Sequence, residues 1–71
     1  DSVSAVQSIH KLIINQRDEG SAVLLISEDL DELFKLSDRI IVLYEGRIIK
    51  EVDIESANIE SLGLAMAGIN E

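Results

Sequence analysis

The sequence has no cysteine, no proline and no tryptophan, and its aromatic side chains are Phe34 and Tyr44. Without cysteine there can be no disulfide, no thiolate metal site and no cysteine nucleophile. With so few aromatics there is no platform on which nucleobases stack. Basic residues are scarce too. Lys11, Arg17, Lys35, Arg39, Arg47 and Lys50 stand against 14 acids, for a net charge of −8. They are scattered, so the Lys/Arg cluster that neutralises a phosphate backbone is missing, and no nucleic-acid partner is expected. No apolar run approaches the roughly 20 residues of a membrane-spanning helix, and none reads as a signal peptide. The expected setting is the cytoplasm.

What is present is apolar matter in short blocks. Of the 71 residues, 46% are hydrophobic, and the mean hydropathy is +0.20. A chain this short buries a modest core. The composition therefore predicts either self-association or packing against further sequence.

Along the chain the pattern is α/β. Val6, Ile9, Ile13 and Ile14 recur at helical spacing, widened by Val3 and Leu12, and predict a helix over 3–18. Ser2 or Ser4 would cap it, and Gly20 fits the left-handed residue just past its end. Ala22-Val-Leu-Leu-Ile-Ser27 is an unbroken apolar run, which predicts a strand buried on both faces of a short parallel sheet. Ser27 or Asp29 then caps a helix over 29–36, and Asp29 with Glu32 has capping-box spacing. Arg39-Ile-Ile-Val-Leu-Tyr44 reads as the second buried strand. Glu45-Gly46 makes a tight turn, and 47–52 returns as an edge strand. A polar connector over 53–57 leads to Asn58, which caps a helix over 59–67 with Ile59, Leu62 and Met66 on its buried face. Gly63 inside that helix points to close packing there, and Gly68 ends it.

Candidate chemistry gathers at the carboxyl end of the first strand, the edge where ligands bind in open α/β folds. Glu28, Asp29, Asp31 and Glu32 are carboxylates that could hold a divalent cation, but they lack the glycine-centred spacing of a calcium loop. Acids at a helix start are equally explained by the macrodipole, at about 0.3–1 kcal/mol each. Glu28 directly after the strand is placed as a general base would be. Yet the sequence shows no glycine-rich phosphate loop, no nucleophile motif and no second acid–base partner beside it. His10 is the single histidine and reads as a boundary side chain, with proton transfer or metal binding as the alternative. Tyr44-Glu-Gly-Arg47 is first a turn and only secondarily a recognition loop. From its residues alone the chain is a small acidic α/β unit without a complete active site.

Three blocks in order add a resemblance. Ala22-Val-Leu-Leu-Ile-Ser-Glu-Asp-Leu-Asp-Glu-Leu33, Ser37-Asp-Arg-Ile40 and Val42-Leu-Tyr-Glu-Gly-Arg-Ile48 resemble the last third of an ABC transporter ATPase domain. The likeness covers essentially the whole chain. The ending Asn58-Ile-Glu-Ser-Leu-Gly-Leu-Ala-Met-Ala-Gly68 is similar to the close of the second ATPase domain in import subunits for simple sugars and nucleosides. The resemblance implies a partial ABC ATPase core, residues 1–71 forming one C-terminal fragment of such a domain. It implies a parent that uses ATP and Mg, sits on the cytoplasmic side of the membrane, and pairs with permease subunits. It places Glu28, after Ser27, at the position of the switch histidine, which in the family contacts the γ-phosphate. A carboxylate there repels phosphate, so the implied site is degenerate. The D-loop aspartate would fall near Asp1 and Ser2. The phosphate loop, the Walker B acids and the signature motif lie upstream in the family, so no cofactor site and no activity are expected of the fragment alone. A homo-oligomer would cover the strand edge it exposes. The competing reading is a free-standing acidic α/β module for dimerisation or ligand sensing. A metal-dependent hydrolase built on the acidic turn is a weaker third.

Overall fold

The structure, a computed structural model, describes residues 2–70, and for Ser2 the backbone only. Its centre is a hairpin. Strand β1 (Arg39–Tyr44) pairs antiparallel with β2 (Arg47–Asp53), from Arg39 opposite Asp53 to Tyr44 opposite Arg47. Glu45 and Gly46 close it with φ of 49° and 78°. A two-residue I′ turn needs positive φ at both central positions, which glycine adopts without a Cβ clash. A bulge after Val42 brings Leu43 opposite Ile48.

Helix α3 (Ile59–Met66) lies on one face of the hairpin and buries Leu62 and Ala65 against Ile40 and Val42. Helix α2 (Leu30–Leu36) adds Leu30, Leu33 and Phe34 around that core, and β2 adds Ile49 and Val52. Asn58 caps α3 as expected, its Oδ1 accepting from the Ser61 N–H at 3.0 Å. The buried face of α3 is narrower than its sequence predicts. Ile59 is 56% and Met66 39% exposed, because only the Leu62–Ala65 side meets the hairpin. The connector after β2 is less polar in effect than its sequence reads. It forms a 3₁₀ turn over Ile54–Ser56, and Ile54 and Ala57 pack against the core.

Helix α1 (Ser2–Asp18) ends as predicted, but it starts earlier than expected: Ser2 and Ser4 lie within it, so neither is its N-cap. Gly20 has φ 101°, and the Ser21 N–H donates to the Gln16 carbonyl at 3.0 Å, closing the helix in a Schellman motif. Val3, Val6, Ile9 and Leu12 remain exposed, and the packed side of α1 is Ile13 and Ile14, both half-buried. Asp1 lies outside the described residues and Ser2 is described by its backbone alone, so the D-loop expectation at Asp1 and Ser2 is left untested.

Two expectations about the sheet are corrected. Residues 22–27 form no strand, and the sheet has two strands, both antiparallel, instead of a parallel core. A strand buried on both faces needs a hydrogen-bonded neighbour and cover on each side. Among the described residues nothing supplies either, and Leu24 and Ile26 stand 86% and 87% exposed. For the same reason β1 is buried on one face only: Ile40 and Val42 point inward, while Ile41 and Leu43 face out.

A third correction concerns Gly63. A Cβ built there meets nothing within 4 Å, so this glycine serves no close approach. Gly68 is the opposite case, with φ 88° and a Cβ position 2.6 Å from the Tyr44 ring. Gly63→Ala should therefore raise stability by about 0.5–1 kcal/mol, the helix penalty of glycine. Gly68→Ala should lower it by more than about 1 kcal/mol. Urea unfolding of the two variants checks the pair, and a gain from Gly68→Ala would contradict this packing.

Candidate functional site

The turn from Ser27 to Glu32 is built by two local hydrogen-bond steps. Ser27 Oγ accepts from the Asp29 N–H at 3.0 Å. Asp29 Oδ1 then accepts from the Asp31 and Glu32 N–H groups at 3.0 and 3.3 Å. Asp29 is thus the N-cap of α2, and Ser27 supports it from outside the helix. In a full capping box the side chain three residues on reaches back to the N-cap N–H. Here Ser27 holds that N–H, and Glu32 is released for another partner.

That partner comes from α1. Glu32 Oε2 lies 2.7 Å from His10 Nε2, in a part-buried contact spanning 22 positions of sequence. Hydrogen bonding to His10, and secondly to Ser27, holds the Glu32 carboxyl below its ordinary value of 4.5. An ionised carboxylate only accepts, so Nε2 of His10 carries the hydrogen. The sequence reading of His10 as a boundary residue describes its burial but misses this contact. Helical phase puts His10 beside the apolar stripe, but nothing local couples it to a glutamate in a different helix.

Glu28 sits on the turn between Ser27 and the cap. It is exposed, and among the described residues its carboxylate has no hydrogen bond or ion pair. The four acids do not converge as a metal site. No group of three His, Cys, Asp or Glu side chains among the described residues could hold a metal ion. Asp29 is spent on backbone amides and Glu32 on His10. Tyr44 packs its ring on Gly68, which favours the plain-turn reading of 44–47.

Beside the turn, the irregular segment 22–28 and the outer face of β1 enclose an open apolar cleft of about 960 Å³. Val23, Leu24, Ile26, Ile41, Leu43 and Ile48 line it. This is the gap in which the predicted sheet would have continued.

The sequence that builds this arrangement, an apolar segment ending in Ser27-Glu28, a capped short helix, an Asp38-Arg39-Ile40 strand and a glycine hairpin, is similar to one segment of several sugar and nucleoside import ATP-binding proteins. It is 52% identical over 66 residues to the glucose import ATP-binding protein TsgD13 of Haloferax volcanii, and equally so to the guanosine import ATP-binding protein NupO of Bacillus subtilis. It is 47% identical over 68 residues to the nucleoside import ATP-binding protein NupA of Lactococcus lactis. These alignments cover 93% to 96% of the chain but only 12% to 13% of the relatives, so the chain spans about an eighth of their length. No protein-family profile matches the chain, and no solved structure does.

The residues present do not by themselves fit a nucleotide. The turn is lined by carboxylates, and the sequence contains no G-x-x-x-x-G-K-[ST] run to cradle phosphates.

The Glu32 contact has a pH signature. Its folded pKa lies below the unfolded value, so it contributes stability that is fully present above about pH 4.5 and is lost as the pH falls through the lowered value. Unfolding measured from about pH 6 to pH 3 should show a shallower acid limb in Glu32→Gln than in the wild type. Superimposable limbs would show that the contact adds nothing to stability.

Proposed function

We propose that residues 1–71 are the C-terminal portion of the ATP-binding subunit of an ABC importer for a simple sugar or nucleoside. The observation that carries the reading is the 47% to 52% identity, over nearly the whole chain, to three import ATP-binding proteins. In this reading the subunit binds ATP with Mg through residues outside this segment and couples hydrolysis to solute uptake by permease subunits. It works at the cytoplasmic face of the membrane. No helix among the described residues is long and apolar enough to cross a membrane, so attachment through permeases fits the reading. The segment contributes the structural end of the ATPase domain and the Ser27–Glu32 turn beside the phosphate site.

Glu28 occupies the switch-histidine position in this assignment. An exposed carboxylate cannot donate a hydrogen bond to the γ-phosphate and repels its charge. The ATP site that includes this segment would then hydrolyse weakly. Restoring the donor with Glu28→His in the complete subunit should raise ATP turnover by roughly tenfold or more, the scale set by one transition-state donor. Unchanged turnover and unchanged nucleotide occupancy in Glu28→His and Glu28→Gln would make the position inert. A stop codon or an unrelated domain in the reading frame upstream of Asp1 would remove the assignment altogether. The free-standing module is the alternative in that event.

The apolar residues around the open cleft support a second element of the reading, self-association of the isolated 71-residue chain. Leu24, Ile26, Leu43 and Ile48 are each at least 60% exposed, which is costly for a monomer in water. Light scattering across the micromolar range should give a dimer mass or higher, and a monomer throughout would overturn this element.

A further inference from the structure

We propose that the His10–Glu32 contact is a pH-sensitive brace that fixes α1 to the Ser27–Asp29 turn and is tightest when the imidazole is protonated. It belongs to the fold of the chain and does not depend on the transporter reading.

The case begins with how little else holds α1. Four apolar side chains of its stripe, Val3, Val6, Ile9 and Leu12, are 46% to 65% exposed, so packing alone orients it weakly. Among the described residues, besides His10–Glu32 at 2.7 Å, its charged link to the rest of the fold is Arg17 to Asp38 at 4.0 Å, with both side chains open to solvent. Such exposed pairs contribute little. The His10 contact is shorter, part-buried and placed mid-helix, where it fixes rotation as well as distance.

The other end of the contact is equally specific. Glu32 is in the first turn of α2, and its N–H donates to the cap Asp29 at 3.3 Å. Ser27 in turn holds the Asp29 N–H. The chain of contacts His10–Glu32–Asp29–Ser27 therefore reaches both neighbours of Glu28.

Histidine is the side chain whose ordinary charge change falls within about pH 5 to 8. Charge-assisted hydrogen bonds are about twice as strong as neutral ones. Deprotonation therefore leaves the Nε2–H contact in place but weaker. The other charged groups near the pair do not replace it. Glu28, Asp29 and Asp31 on the turn, Lys35 on α2 and Lys11 on α1 are exposed, and the charge that acts on Glu32 is that of His10.

Nuclear magnetic resonance of the 71-residue chain tests the brace. The His10 ring protons and the backbone amides of Ser27, Glu28 and Asp29 are followed from pH 5 to pH 8.5. The expected result is a single shared midpoint in the wild type. In His10→Gln the amide transitions should vanish. In Glu32→Gln, which removes the partner carboxylate, they should vanish as well. Amides of 27–29 that stay flat while His10 titrates in the wild type would overturn the proposal without any variant. So would amide transitions of wild-type size in a Glu32→Gln variant with wild-type circular dichroism. If Glu32→Gln does not fold, Glu32→Asp serves instead: it keeps the charge but shortens the reach, and unchanged amides would again overturn the proposal.

Discussion

The contact on which the rest depends is the pair Leu62 and Ala65 of α3 set against Ile40 and Val42 of β1. These are the four buried hydrophobic side chains among the described residues, and Leu62 is fully enclosed. Burying one such large aliphatic side chain is worth about 1.5–3 kcal/mol. A two-stranded hairpin has marginal stability in water and needs a packed partner. α3 supplies that partner, and α2 and the Ile54–Ala57 connector close the sides of the core. Every other element is attached to this nucleus by its edges.

Asymmetry follows from that economy. One face of β1 is covered and the other is open, so a strand with an unbroken apolar sequence behaves as an alternating one. Segment 22–27 has the composition of an interior strand but stands apart from the hairpin across an apolar cleft. Its composition suits a larger sheet than the described residues build. The relatives are about eight times longer, as the chain covers only 12% to 13% of them. A sequence shaped for burial within a longer protein would expose these same side chains when its neighbours are not beside it. The turn that follows the segment keeps its form because its order is local, held by the Ser27 and Asp29 side chains and three backbone amides.

The candidate site is legible to different depths at different residues. Asp29 as a cap and Asn58 as a cap follow from side-chain chemistry within three residues, and both hold. Glu28 is notable only through the family resemblance, since nothing about an exposed carboxylate distinguishes it from its neighbours. Glu32 was expected to complete a capping box, but Ser27 takes that place and Glu32 joins His10. Two local partners compete for one N–H, and spacing alone does not rank them.

By itself, the sequence determined the helices, the Asp29 and Asn58 caps, the Glu45-Gly46 hairpin and the Gly20 and Gly68 termini. Each of these is governed by interactions within a few residues: helical phase, a capping oxygen, a positive φ that glycine tolerates. It also carries the similarity to a segment of import ATP-binding proteins, because the order and spacing of three blocks is a property of the chain. Only the tertiary structure decided which apolar residues are buried, that segment 22–27 forms no strand, and that His10 meets Glu32. Those outcomes depend on partners distant along the chain. An apolar run states a need for cover, and only the assembled fold determines whether any cover is there.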